Sequence, residues 1–541
     1  MPRGLSPRQE LLQLQKRIFA QNQEIIRSQA VVNERGFEAY ERRYKRQVSK
    51  YQRVATIEEL LERIDAADIV YLGDYHTNYQ SQRTLLRLLK ILTEREVPVM
   101  VGLEFVQKRQ QKYLDDFLAD RISEAVFLKR IQFEKYWYFD LWQNFKPIFE
   151  YARYHHLPLY GVEWSLGPQA TLEKRDQKAA EMVVDLLKRN PDKKLLLFAG
   201  DLHLAPAHLP KLVQRGLKER KIVKRDLIIY QNSETIYWQL AEDEVEDKVE
   251  IVKIDERSFC IINTPPIVWQ QSYLNWLEHE EGEIDFSDAK YHFLGLMHRV
   301  AEFLGITDLS GGGEDVEVFT CGDLSFFKKL SESEDISRLE LKQIKQQVLA
   351  GESYCMPSRH LVYLANLSLN HAAEEAAHYL KYLCSGPESP RDPVDAFYAN
   401  AMHEALGFFG SKIINQKRKC FHENAYRSII DYVKSTSSSA GRKQELEIAL
   451  LVLEHKKLEV RGVPIHSKRF FKSRQPLFFG VTHGLGYILG DRLYYGLIHE
   501  KIGKEDIKEL FCHPMAKDGE AFQLYLKLCR KLRKVKIPRR I

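Results

Sequence analysis

The residues best placed to do chemistry stand in two tetrads of the form Gly-x-x-His, Gly73-Asp74-Tyr75-His76 and Gly200-Asp201-Leu202-His203. Each directly follows a short apolar run, Ile-Val-Tyr-Leu at 69–72 and Leu-Leu-Leu-Phe at 195–198. Two further runs, at 98–104 and 157–163, each end in a glutamate, Glu104 and Glu163. Two imidazoles with Asp74 and Glu104 beside them form a ligand set suited to a divalent metal such as zinc, manganese or iron. The same groups also suit a general base, since a neutral histidine beside a carboxylate can activate water. In either case Glu163 would orient one imidazole from behind. Both chemistries stay open at the level of residue types.

The elements that must position these groups are strands. Runs this short, partly β-branched or aromatic, read as buried parallel strands, and ligands bind beyond the carboxyl ends of strands in open α/β sheets. A glycine at the strand end lets the chain turn, so that a histidine three residues on points back over the sheet. Helical stripes lie between the runs, through Leu85, Leu88, Leu89 and Leu92 and through Ala179, Ala180, Val183, Leu186 and Leu187. Alternation of this kind predicts a mostly parallel sheet flanked by helices. Later strands are expected at 226–230, 235–238, 249–254 and 258–262, close enough together for an antiparallel extension at one edge.

Three domains follow: a helical N-terminal arm (1–55), the α/β domain (56–265) and a separate all-α domain (286–541). The arm carries Leu11, Leu14, Ile18 and Ile25, then Phe37, Tyr40, Tyr44, Val48 and Tyr51, at helical spacing with Arg and Lys between. It reads as a prefix packed on the body rather than a membrane-surface helix. The last domain has loops at 310–313, 384–390 and 435–441. Its segments 402–410 and 482–490 (Met-His-Glu-Ala-Leu-Gly-Phe-Phe-Gly and Thr-His-Gly-Leu-Gly-Tyr-Ile-Leu-Gly) carry small residues that suit facing central helices.

The ordered set Gly-Asp-Tyr-His at 73–76, Gly-Leu-Glu-Phe at 102–105, the stretch from Phe139 to Glu163, Arg175-Asp176 and Gly-Asp-Leu-His at 200–203 resembles the ChaN-type haem-binding uptake domain. That domain belongs to a superfamily with the Tiki proteases, the TraB/PrgY proteins and the erythromycin esterases. The resemblance spans roughly residues 60–215. It implies haem binding as the leading function, with a metal-dependent or histidine-assisted hydrolase of peptides or esters as the alternative, and a non-catalytic interaction scaffold as a third. Carried over by position, His76, Glu104 and His203 are the catalytic or metal-ligating residues. Asp74, Tyr75, Glu163, Arg175 and Asp176 are the cofactor-binding ones, with Tyr75 the candidate tyrosine ligand to haem iron. The sequence departs from the family pattern at Asp74, where glutamate is usual. It departs again at Ala179-Ala180, in place of Met-Ala, and at His208-Leu209-Pro210, in place of Gly-Val-Pro.

Bulk properties narrow the field without naming a ligand. The 541 residues are 44% hydrophobic and 29% charged, with a net charge of +6, too small for this length to imply nucleic acid. Seven scattered cysteines make neither a disulfide framework nor a Cys-x-x-Cys metal pattern. With no visible export signal, lipobox or membrane span, the expected compartment is the cytoplasm. The apolar stretch 476–498 is interrupted by His483, Asp491 and Arg492 and reads as a buried helix. His371, Glu375 and His378 would share one helical face, and Glu375-x-x-His378 has di-iron spacing. Without a second copy the pattern reads as polar pairs on a helix surface.

Overall fold

A central eight-stranded sheet orders the first half of the chain, in a computed structural model that describes residues 5–29, 35–133, 142–163, 171–280, 286–307, 313–320, 338–349, 352–365, 368–388, 390–435, 440–465 and 475–538, with 309, 323, 325–331 and 336 between them. Residues 139–141 of the family-like stretch, 310–312 and 436–439 lie outside the described residues. The contacts divide the chain into two units, Ile18–Ile284 with Arg539–Ile541, and Met1–Arg17 with Asp285–Pro538. The border at residues 17 and 18 falls inside the helix Pro7–Gln29, so residues 1–55, expected as a separate arm, are shared between the units.

The strands of the α/β unit are β1 (Arg53–Val54), β2 (Ile69–Asp74), β3 (Val99–Gln107), β4 (Leu159–Glu163), β5 (Lys194–Gly200), β6 (Asp226–Gln231), β7 (Ile251–Asp255) and β8 (Ser258–Ile261). Their spatial order is β1-β7-β8-β6-β2-β5-β3-β4. The block β8-β6-β2-β5-β3-β4 is parallel, and β7 and β1 add antiparallel at one edge. Both faces of β2 and β5 are buried, which is why the strands read as continuous apolar runs. Val70, Leu72, Leu196 and Phe198 join a core with Leu85, Leu88, Leu89 and the aromatic helix residues Trp142, Phe145 and Phe149.

Residues 235–238, expected as a strand, instead lie in the helix Glu234–Glu242. The Ser233 hydroxyl accepts the Ile236 N–H and caps that helix, and this local bond outweighs the strand preference of Thr, Ile, Tyr and Trp.

The order of the sheet fixes where a ligand can sit. The chain leaves β2 towards β3 on one side and leaves β5 towards β6 on the other, while β2 and β5 are neighbours. Such a divergence is a topological switch point, where the loops part and open a crevice beyond the strand ends. In register, Gly73 pairs with Ala199 and Asp74 with Gly200. The two tetrads therefore leave the sheet side by side, at the crevice.

The second unit is mainly helical, with a small sheet of β9 (Glu317–Thr320), β10 (Tyr354–Met356) and β11 (Leu361–Leu364) that the expectation of an all-α domain did not include. Its helix Pro393–Ile414 is buried on nearly all sides, as a helix that is apolar all round must be. It packs against the helices Leu369–Ser385 and Gln475–Ile498. Among the described residues, no helix is long and apolar enough to cross a membrane.

Candidate functional site

The first tetrad builds an oriented imidazole. His76 Nδ1 lies 2.7 Å from Asp74 Oδ2, and the other Asp74 oxygen accepts from Gln82 Nε2 at 2.7 Å. Gln82 sits in the helix Tyr79–Glu94, whose start is capped by Asn78. Burial pushes the Asp74 carboxyl up; burial also opposes charge on His76, but Asp74 outweighs it and the imidazole pKa rises. The His76 side chain is 34% exposed, against 3% for Asp74. A buried carboxylate thus holds a partly accessible ring by its Nδ1.

The second tetrad builds a charged network. His203 Nδ1 lies 2.6 Å from Asp176 Oδ1, and its Nε2 lies 3.2 Å from Glu104 Oε1. Burial alone would depress this imidazole, yet Glu104 and Asp176 lift its pKa to about 10. At neutral pH His203 is therefore an imidazolium with both ring nitrogens committed. Glu104 Oε1 also accepts from Arg175 Nη2 at 2.9 Å, and its Oε2 accepts the Gly200 N–H at 2.6 Å. Despite burial, His203 and Arg175 hold Glu104 well below the usual carboxylate range. Arg175 grips Glu163 through Nε and Nη2, both at 3.1 Å. Arg175 and Asp176 enter from the first turns of the helix Leu172–Arg189, whose start is capped by the Thr171 side chain.

The three residues expected at the centre do converge. A Cβ built on Gly200 would lie 3.5 Å from Glu104 Oε2, 3.5 Å from His203 Cδ2 and 3.7 Å from His76 Nε2. Gly73 has a different reason to be glycine: a Cβ there would fall 1.4 Å from Asp201 Oδ1. Asp201 accepts from Tyr44 Oη at 2.8 Å and from the Gln231 N–H, and burial pushes its pKa up to about 7. Gln231 in turn donates to the Gly73 carbonyl, tying β6 to the first tetrad. Tyr75 turns its ring to Trp269, with centroids 5.0 Å apart, and burial drives its phenol pKa up. Among the described residues of this unit, no three His, Cys, Asp or Glu ligand atoms lie within 4.8 Å of one another.

Reasoning from the sequence missed the contribution of the helix Arg35–Gln47. Its Tyr40 is fully buried and donates to Asp176 Oδ2 at 2.7 Å, with its oxygen 3.1 Å from His203 Nδ1. The ring stacks on His208 at 3.6 Å, and Arg43 donates to His208 Nε2 while pairing with Glu173. The four-residue spacing of Tyr40 and Tyr44 was the available signal, since it puts both phenols on one face of the helix.

Residues 60–167 match the family model described as haem-binding uptake, Tiki superfamily, ChaN. The match takes in β2, β3 and β4, with Asp74, Tyr75, His76, Glu104 and Glu163, and stops short of Arg175, Asp176 and His203. Among solved structures the chain is similar to ChaN of Campylobacter jejuni, described as showing cofacial heme binding. The identity is 14% and the TM-score 0.27, over 38% of this chain and 92% of that one. No curated protein matches the chain.

Proposed function

We propose that this chain, which carries a ChaN-type domain of the Tiki superfamily, binds haem at the carboxyl ends of β2, β3 and β5, with His76 as the iron ligand. The observation that carries the reading is the Asp74–His76 pair. A carboxylate on Nδ1 fixes the tautomer and ring orientation and raises the basicity of Nε2, as partners behind metal-bound histidines do. His76 would hold haem iron through such an imidazole, and bound haem would supply a redox-active iron centre. Tyr75 suits a wall better than a ligand, because its ring lies against Trp269 with centroids 5.0 Å apart. His203 and Glu104 suit a supporting role, their hydrogen-bonding atoms being held by Asp176, Arg175, each other and the Gly200 amide.

Hemin titrated into the purified chain is expected to give a saturable Soret band at one equivalent. His76→Ala should abolish it and Tyr75→Phe should keep it. Wild-type binding by His76→Ala would remove the reading.

A second reading rests on the protonated His203. An imidazolium and a guanidinium beside an oriented histidine also suit ester or peptide hydrolysis, with His76 taking a proton from water and the positive charge of His203 and Arg175 opposing the charge that develops on the oxyanion. Turnover of a p-nitrophenyl ester that is lost in both His76→Ala and His203→Ala would favour hydrolysis over haem storage or transfer.

A further inference from the structure

We propose that the helical unit holds a divalent transition-metal ion between Glu374, Glu404 and His483. These residues come from three helices that pack together, Leu369–Ser385, Pro393–Ile414 and Gln475–Ile498. One carboxylate oxygen from each glutamate and one ring nitrogen of His483 lie within 4.8 Å of one another. The close approach depends on a small residue, since a Cβ on Gly486 would fall 2.3 Å from Glu404 Cβ.

A cluster of acids is not a site by itself, and here an independent observation points to a ligand. The Glu374 side chain is 6% exposed. Its Oε2 accepts from Arg418 Nη2 and from Tyr487 Oη, both at 2.7 Å, but its Oε1 is buried with no hydrogen-bond partner. Native proteins rarely leave a charged oxygen in that condition, because the desolvation is uncompensated. On the same helix Glu375 and His378, expected on a surface, are largely buried and face each other with Nδ1 and Oε2 3.3 Å apart. His378 Nε2 is likewise buried without a partner.

Glu374, Glu375 and Glu404 crowd together, and all three act on His378, while Arg418 is the guanidinium that pairs with Glu374. A nearby group of similar composition, Cys420, His422 and Asp491, shows the contrast. There Lys412 Nζ sits 2.6 Å from Asp491 Oδ1, and His422 takes Oδ2 at 2.8 Å, so both carboxylate oxygens already have partners, whereas Glu374 Oε1 has none. At Glu374, Glu404 and His483 a mixed nitrogen and oxygen donor set suits zinc, manganese or ferrous iron rather than magnesium or calcium. His483 Nδ1 now lies 2.9 Å from Glu404 Oε2. An entering ion bonds the two glutamate oxygens and the imidazole, and the proton between His483 and Glu404 leaves to solvent. The His483 side chain is 50% exposed, which gives the ion a way in.

The test uses the full chain, stripped of metal and carrying His76→Ala so that the strand-end histidine pair does not contribute. Co2+ is titrated and read by its d–d absorption, and Zn2+ by calorimetry. One ion per chain is expected, weakened about tenfold or more by Glu404→Gln and by His483→Ala. His422→Ala should leave it unchanged. Both Glu404→Gln and His483→Ala keep the packing, one being isosteric and the other half-exposed, and circular dichroism checks this. Unchanged binding in those two variants, loss in His422→Ala instead, or no binding by the parent would each overturn the proposal.

Discussion

Replacing Gly200 with alanine separates the role of this residue in the site from any role in the fold. Its backbone sits at φ −51° and ψ 135°, a conformation any residue adopts, so the added methyl brings no backbone strain. Its neighbours would be Glu104 Oε2, His203 Cδ2 and His76 Nε2 at 3.5, 3.5 and 3.7 Å, ordinary contact distances. Gly→Ala at a compatible position stabilises by about 0.4–1 kcal/mol through the unfolded chain. Gly200→Ala should therefore unfold at equal or higher denaturant concentration than the parent. The same methyl stands where the two histidines and Glu104 meet, so hemin affinity should fall at least about tenfold, roughly 1.4 kcal/mol. Gly73→Ala is the counterpart. Its methyl would overlap Asp201 Oδ1, held by Tyr44 and Gln231, and should destabilise by about 1–3 kcal/mol. Urea unfolding and a Soret titration on both variants read the two effects. A Gly200→Ala protein that binds hemin like the parent, or that unfolds earlier than Gly73→Ala, would refute the reasoning.

Tyr40→Phe removes the phenol that donates to the buried Asp176 and should cost about 1–3 kcal/mol in chemical denaturation, whereas an effect below about 0.5 kcal/mol would mean that the helix does not cover the site in solution. His203 should make stability fall on the alkaline side. Its folded pKa, about 10, lies above the unfolded value of 6.5, so its contribution is complete below pH 6.5 and is lost as pH rises to 10. Urea midpoints across that window should decline in the parent and decline less in His203→Gln. In the helical unit, Glu374→Ala leaves Arg418 buried without its carboxylate and should destabilise by about 3–5 kcal/mol, and a melting point within two degrees of the parent would contradict the pairing.

Much of the α/β fold was legible because its strands announce themselves chemically. Runs buried on both faces are continuously apolar, and β5 ends in the glycine that opens its tetrad while β2 ends one residue past its own. What stayed hidden depended on contacts far apart in sequence. Tyr40 meets Asp176 and His203 across separations of 136 and 163 residues, and periodicity shows only that Tyr40 and Tyr44 share a face, not what that face meets. For Glu375 and His378 the lack of a second Glu-x-x-His copy points to polar pairs on a helix surface, and the sequence does not show what covers them. Here Ala372, Ala373, Ala376 and Ala377 surround them, and alanines let neighbouring helices close over polar side chains that longer residues would hold apart.

The two tetrads share a spelling but not a role, and the difference follows from what packs behind each. Behind His76 stands one buried carboxylate, steadied by a neutral glutamine, so the ring is oriented through its Nδ1. Behind His203 stand two carboxylates and a phenol, so the ring is fixed as a cation that has no lone pair to give. A metal centre built symmetrically on both histidines would need His203 to give up its contact with Glu104 or with Asp176. An asymmetric site has His76, held at Nδ1 alone, as donor and His203, held at both nitrogens, as fixed positive charge. Removing Glu104, which holds Nε2, would be the way to make His203 resemble His76, since Asp176 already stands on Nδ1 as Asp74 does on His76.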